Sequence, residues 1–389
     1  MIDRLLSKSV PKTDRPLPRP TARSMRDPLG EGTSEVSERG LPSVSVVVGT
    51  YNSGPFARAA IDSALAQDHP RCDVVVVDDA STDGTQEVIA SYGERVQAIL
   101  RPRNGGQAEA YAQAWPRTRG DIVIFLDGDD ELEPHAASTV ARHWRPGLAK
   151  LQYQITTIDE TGRIIKGPRP AWPAGLDARR MRELLFTYGA YPSVSACGNA
   201  YARSFLERRG PPATALPWWD LGLEVDAPFF GEVDSLAEPL ARKREHTRSA
   251  SLTATIDPER FERLHALFEG QLAYLAARAR QWGREVDLEA IRRRSAWHQD
   301  LELVLARLGR RPGRGAARRL PAVWWATLVT LEPWPKKLGL LLWQAAVALG
   351  PRALADHALR RRFLSAQPSR VGAVRAGAYR TELANGEGV

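Results

Sequence analysis

The sequence predicts an α/β fold: a mostly parallel sheet flanked by helices, followed by an α-helical C-terminal region. Three observations predict it. Short β-branched apolar runs alternate with helical patterns over about 100 residues from Ser43 onward, the signature of βαβ units. Three of the loops that follow those runs are rich in Gly, Asn or Asp, which places them together on the sheet edge where such folds bind ligands. Beyond Ile256 the chain becomes rich in Arg, Ala and Leu with helical spacing throughout.

The first run, residues 44–48, ends in Gly49-Thr50-Tyr51-Asn52-Ser53-Gly54, and Phe56, Ala59, Ala60, Ile61, Ala64 and Leu65 then repeat at helical spacing. The second run, 74–77, closes with Asp78-Asp79-Ala80-Ser81-Thr82-Asp83-Gly84-Thr85. Ser81 or Thr82 is the expected N-cap of the helix carrying Val88 and Ile89. The third, 96–100, leads into Arg103-Asn104-Gly105-Gly106-Gln107 and an Ala-rich helix. The fourth, 122–126, stops abruptly at Asp127-Gly128-Asp129-Asp130. Three anions so close repel one another unless a cation holds them, and Mg²⁺ favours a few carboxylates together with substrate phosphate oxygens. The plainer reading of this stretch is an acidic, solvated turn. Residues 151–155 and 163–165 flank Asp159-Glu160-Thr161-Gly162 as an antiparallel hairpin would. A helix about 179–188 follows, then the loop Cys197-Gly198-Asn199-Ala200 and a helical segment before Trp218-Trp219-Asp220.

At 389 residues the chain accommodates one large or two medium domains. Its formal charge of +8 is uneven. Residues 1–42 hold 8 basic and 6 acidic side chains, 43–255 hold 23 and 27, and 256–389 hold 23 and 13. The basicity therefore belongs to the last third, which argues against nucleic acid as a partner and for an anionic partner at one end. Two cysteines, Cys72 and Cys197, provide neither a disulfide framework nor zinc spacing. Residues 1–42, rich in Pro, Ser, Arg and Asp, read as a disordered tail without a signal peptide. No run reaches the ~18–20 apolar residues of a spanning helix, so a cytoplasmic protein is expected, peripheral at most on the membrane.

Together these pieces resemble the family 2 glycosyltransferases over residues 43–255. The matching motifs are Val46-Val47-Val48-Gly49-Thr50-Tyr51-Asn52, Val77 to Thr85, Asn104-Gly105-Gly106-Gln107 and Leu126-Asp127-Gly128-Asp129-Asp130, in the family's order. The resemblance implies the GT-A nucleotide-sugar-binding fold and a metal-dependent inverting transfer from a UDP- or GDP-type donor. The acceptor implied is a hydroxyl of a cell-envelope glycan or a lipid-linked intermediate. It implies that Tyr51 supplies an aromatic face to the base, with Thr50 and Asn52 shaping the loop, and that Asp79 accepts a hydrogen bond from the base while Asp78 steadies the turn. Gly105 and Gly106 would let backbone approach the donor. Asp127 and Asp129 match the family's Asp-any-Asp motif, as ribose or metal contact and as ligand of Mg²⁺ or Mn²⁺, with Asp130 a third contact. Gly198 and Asn199 fall in the loop beneath the acceptor, and Arg244 and His246 match a basic pair at the diphosphate or metal.

Three positions depart from the family. Gly49 replaces a proline, Lys243 stands where Tyr is typical, and Trp219 stands where the general-base motif usually has Glu. Asp220 is then the base, with Glu224 and Asp226 as alternatives. A donor-binding but inactive scaffold is the competing function. A nucleotidyltransferase is disfavoured because no Gly-rich loop with Arg and Lys follows the first strand. In the last third lie 6 of the 11 tryptophans. Trp324, Trp325, Trp334 and Trp343, flanked by Arg318, Arg319, Lys336, Lys337 and 360–362, suit an interfacial hairpin on an anionic membrane. A helical bundle using those residues as its own core is the alternative.

Overall fold

The computed structural model describes residues 40–172, 175–210, 216, 219–246, 256–311, 315–330 and 334–363. Most of the expected tail, Trp218 and part of the loop between the two apolar C-terminal runs lie outside these residues. Two compact units are distinguished, one comprising residues up to 244 together with 263–299, the other 245–262 together with 300 onward. The composition boundary at 255/256 therefore differs from the division by contacts, which groups 263–299 with the sheet.

The first unit is built on nine strands: β1 (Val44–Thr50), β2 (Cys72–Asp78), β3 (Gln97–Leu100), β4 (Ile122–Asp127), β5 (Glu131–Leu132), β6 (Leu148–Ile158), β7 (Ile164–Arg169), β8 (Asn199–Ala202) and β9 (Glu232–Arg244). Their order is β3-β2-β1-β4-β8-β6-β9-β5, with β7 paired to β6. Strands β1 to β4 are parallel to one another. Period-two alternation gives β1, β2 and β4 two apolar faces, whereas the edge strand β3 buries only Ile99. Val47, Val75, Val77, Val123 and Phe125 enter one core cluster, and Val46, Val48, Val74, Val76, Ile124 and Leu126 enter the other. A strand buried on both faces needs an unbroken apolar run, which is what the sequence shows.

Helices α1 (Gly54–Leu65), α2 (Thr85–Ala90), α3 (Gln107–Ala114) and α4 (Ala136–His143) occupy the crossovers and the segment after β5. Helix α2 starts later than expected, at an N-cap Gly84 with φ 87°. Ser81 and Thr82 are engaged elsewhere: the Ser81 hydroxyl donates to Asp78 Oδ1 (2.5 Å) and the Thr82 N–H donates to Asn52 Oδ1 (2.8 Å). They tie the first two strand-end loops together instead of capping.

From β4 onward the sheet changes direction. β8 runs antiparallel to both β4 and β6, β9 parallel to β6, and the expected hairpin is present as antiparallel β6–β7. Helix α5 (Ala178–Tyr188) starts from Asp177, whose carboxylate accepts the Arg180 N–H. Helices α6 (Arg203–Arg209) and α7 (Trp219–Phe230) precede β9, and α8 (Pro258–Gln281) and α9 (Leu288–Arg294) follow it. Asp226 of α7 is fully buried. Its carboxylate takes hydrogen bonds from Arg209 Nε (2.7 Å), Arg278 Nε (2.7 Å) and Tyr274 Oη (2.6 Å). Two guanidinium groups and a phenol thus hold α7 to α6 and α8.

The second unit contains α11 (Leu320–Leu328), α12 (Trp334–Leu349), α13 (Arg352–Phe363) and the end of α10 (Ala296–Arg307). A buried polar junction holds it: Gln344 Nε2 donates to Asp300 Oδ1 (2.8 Å) and Thr327 Oγ1 (2.7 Å), and Arg362 donates to Asp300 Oδ2 (2.7 Å). No helix among the described residues is long and apolar enough to cross a membrane.

Candidate active site

Parallel pairing brings the three strand-end loops level. Thr50 pairs with Asp78 and Gly49 with Asp127 across β1, β2 and β4. Thr50 is buried and donates to Asp78 Oδ1 (3.0 Å). Asp78, also buried, accepts from Ser81 N (2.9 Å) and Gln86 Nε2 (2.8 Å), so it steadies the turn. Asn52 has φ 50° and reaches across to the second loop. Tyr51 stays 52% exposed at the rim, with its ring accessible to a ligand.

Asp79 is buried and already well coordinated. It pairs with Arg101, and it accepts the backbone N–H groups of Gly105 (3.0 Å) and Gly106 (2.7 Å). Gly106 adopts φ 87°, a conformation that favours glycine. The expected contact with a base therefore has to share a carboxylate that orders the glycine loop. A carboxylate has roughly four lone-pair sites, and the Gly105 N–H, shared between both oxygens, brings the bonds already made to four.

The carboxylates of Asp127, Asp129 and Asp130 converge, with one oxygen of each within 4.8 Å of the others. Asp127 Oδ1 accepts from Gln107 Nε2 (2.8 Å) and Tyr111 Oη (2.9 Å). Asp130 Oδ1 accepts the Arg244 N–H (2.8 Å). Burial, reinforced by Asp129, pushes the Asp127 carboxyl up to about 6 and that of Asp130 up to about 8. An all-oxygen set of crowded acids held in place by neutral donors fits a hard divalent cation. His246 is not among the three acids of this cluster.

Arg244 acts differently from the expected diphosphate contact. Its guanidinium donates to the carbonyls of Asp129 (2.9 Å) and Asp159 (2.9 Å), pairs with Glu131 and lies over the Phe56 ring. It braces the acidic loop from behind. Gly198 and Asn199 are likewise internal. A Cβ on Gly198 would meet Val194 at 2.6 Å. Buried Asn199 donates to the Ser195 carbonyl (3.0 Å).

Helix α7 carries the other half of the site. Asp220 and Glu224 lie one turn apart, both partly buried. Burial raises the Asp220 carboxyl, opposed by Lys243 and Lys150. Burial pushes Glu224 up to about 7, opposed by Lys150 and reinforced by Asp220. Asp226 is excluded as the base by its double arginine clamp. Lys150 is fully buried, donates to Tyr191 Oη (3.4 Å) and is pushed down by burial, with Glu224 and Asp220 opposing.

Lys243 proves consequential. Burial would lower its pKa, but Asp130, Cys197, Asp127 and Asp220 outweigh that and raise it. Its ammonium donates to Ser195 Oγ (3.1 Å) and stands within the field of both acid groups. The other two departures are explained by packing. Trp219 is buried against Phe125 (centroids 5.1 Å) and Tyr111 (6.1 Å). A Cβ on Gly49 would come within 2.6 Å of the Tyr111 ring, so the glycine makes room for the phenol that holds Asp127. Sequence reasoning missed Gln107, Tyr111, Arg101, Lys150 and Lys243 as site residues. Only Gln107, closing the Asn-Gly-Gly-Gln motif, carried a signal. It bridges the halves, donating to Asp127 and accepting the Trp219 N–H (3.3 Å).

The family model described as glycosyl transferase family 2 matches residues 45–209. The succinoglycan biosynthesis protein ExoO of Rhizobium meliloti (strain 1021) is 40% identical over 246 residues, 60% of this chain and 68% of that protein. The chain belongs to glycosyl transferase family 2. An uncharacterized glycosyltransferase of Nostoc sp. (strain PCC 7120) is 29% identical over 217 residues, 54% of this chain and 67% of its own length. TuaG of Bacillus subtilis (strain 168), a glycosyltransferase assigned in name to teichuronic acid biosynthesis, is 38% identical over 93 residues, 23% of this chain. That match spans only 37% of TuaG. The structure of the mannosyltransferase PcManGT from Pyrobaculum calidifontis with GDP-Man and Mn²⁺ aligns over 99% of this chain and 93% of its own at 19% identity. Its TM-score of 0.45 is too low to build on. For this glycosyltransferase the expected mixed α/β architecture and helical C-terminal region are both present.

Proposed function

We propose that this family 2 glycosyltransferase is a metal-dependent inverting enzyme. It would move a sugar from a UDP- or GDP-type donor to a hydroxyl of a cell-envelope glycan or lipid-linked acceptor. The carrying observation is the convergence of Asp127, Asp129 and Asp130 at the carboxyl end of β4, level with the loops after β1 and β2. The similarity to ExoO, a succinoglycan biosynthesis protein, and to TuaG, a putative teichuronic acid biosynthesis glycosyltransferase, supports a polysaccharide acceptor. In this reading Tyr51 stacks on the base and the three acids hold Mg²⁺ or Mn²⁺, with His246 a further candidate ligand. A bound cation would neutralise the diphosphate and stabilise the departing nucleotide.

Asp220 takes the proton of the acceptor hydroxyl as that oxygen attacks the anomeric carbon. Its raised pKa makes it a better proton acceptor than an exposed carboxylate. Lys243 and Lys150 oppose the rise that burial imposes on it. Glu224 is the alternative base. The test is a thermal-shift panel of nucleotide sugars with and without Mn²⁺. A rise in Tm that requires both nucleotide and Mn²⁺, and that Asp129→Ala abolishes, is expected. No stabilisation by any nucleotide sugar, or full retention in Asp129→Ala, would refute the site.

A further inference from the structure

The second unit presents an apolar face that its own packing leaves uncovered. On α12, Trp334, Leu338, Leu342 and Leu349 are exposed, the first, third and last by 68%, 64% and 63%. At 3.6 residues per turn these four project within about 80° of one another, as a single stripe. Trp324, Trp325 and Leu328 of α11 are exposed as well. Trp343 does not belong to this face, contrary to the sequence expectation. Its indole N–H donates to the Ala358 carbonyl (2.9 Å), and its ring packs under Arg362 (4.3 Å) and against Phe363. The unit's own core is made by Gln344 and Val347 on the opposite side of α12, with Ala355 and Leu359 of α13. Trp343 thus packs within the bundle, as one alternative drawn from the sequence has it, whereas Trp324, Trp325 and Trp334 stay outside its core.

The unit is basic. Lys337 lies beside the Trp334 ring (5.8 Å), and Arg318, Arg352, Arg360 and Arg361 elsewhere on the unit are exposed. Residues 256–389 carry 23 basic against 13 acidic side chains. Indole rings and leucines on one helical stripe of a basic unit match a headgroup–acyl boundary: tryptophan favours the interface, and the cations gain from anionic lipid.

We propose that the α11–α12 face is a peripheral docking surface for an anionic lipid membrane, with Trp334, Leu338 and Leu342 as its inserting residues. This proposal is independent of the donor and acceptor assigned above. It would hold the enzyme at the surface where lipid-linked acceptors are found.

The test is flotation of the full chain with phosphatidylcholine vesicles, alone or containing about one-third phosphatidylglycerol. Retention on the anionic vesicles, reduced by salt, is expected. So is a blue shift of tryptophan emission. A Trp334→Ser/Leu338→Ser/Leu342→Ser variant should bind at least about tenfold more weakly, since apolar burial and charge attraction act together. The three positions are exposed, so unchanged thermal unfolding is expected. Equal retention of that variant, equal retention on neutral vesicles, or no retention of the wild type would overturn the proposal. So would a wild-type dimer that the substitutions dissociate, which would assign the face to a second copy of the chain.

Discussion

The acids at the end of β4 and those on α7 are stabilised by different means. Asp127 and Asp130 accept hydrogen bonds from neutral donors, namely Gln107, Tyr111 and a backbone N–H, and burial, reinforced by Asp129 and opposed by Lys243, lifts their pKa values to about 6 and 8. On α7, Lys243 and Lys150 counter the effect of burial on Asp220, and Lys150 counters it on Glu224. Three crowded acids beside one lysine suit a site that receives a cation, and acids raised by burial beside lysines suit one that must exchange a proton with substrate. Lys243 belongs to both fields, because Asp130, Asp127 and Asp220 all act on it.

The largest separation of the two halves should come from Asp220→Asn. Transfer should fall by about 10²–10⁴-fold, the usual contribution of a general base, while Mn²⁺-dependent nucleotide binding persists. A scaffold would show no transfer to lose, and undiminished transfer would move the base to Glu224. Asp226→Ala should leave the chemistry's residues in place but destabilise the fold by about 3–5 kcal/mol, because it strands two buried guanidinium groups. Chemical denaturation would measure it, and a loss within 1 kcal/mol would mean that Arg209 and Arg278 find other partners (about the noise of such comparisons).

Glu224 sharpens the contrast through pH. Its folded pKa of about 7 exceeds the ordinary value, so the folded state binds the proton more tightly than the unfolded chain. The associated stability is complete below about pH 4 and is lost as pH rises through about 7. Glu224→Gln should flatten that slope, by on the order of 1–3 kcal/mol between pH 5 and 8. Melting curves across that range, identical in wild type and variant, would remove Glu224 from the charge balance. The smallest effect belongs to Lys243→Met, expected to tighten Mn²⁺ binding by several-fold, on the order of 1 kcal/mol, as one repelling charge disappears. Weaker Mn²⁺ binding, read by titration calorimetry, would show that the lysine supports the acidic loop instead.

The parallel half was largely legible because its information is local. A β-branched run followed at once by Asp-Gly-Asp-Asp specifies strand, loop and acids within ten residues. Even there, Ser81 and Thr82 were read as caps, because loop-to-loop hydrogen bonds resemble capping in sequence. The second half depends on distant pairing. Lys243 reaches the acids because β9 pairs with β6, Thr157 opposite Lys243, and no short pattern encodes that register. Gly49 and Trp219 looked like departures from the family for the same reason: both answer to Tyr111, far away in sequence.

The clamp on Asp226 sets a lower bound on the working enzyme. The family model stops at residue 209, yet the helix bearing Asp220 is fastened by Tyr274 and Arg278. A fragment trimmed to the recognisable motifs, or even to the last strand at Arg244, would keep the loops after β1, β2 and β4 and release the helix that carries Asp220. Such a truncation should bind nucleotide and turn over poorly, and insertions or fusions would be safest placed beyond residue 363.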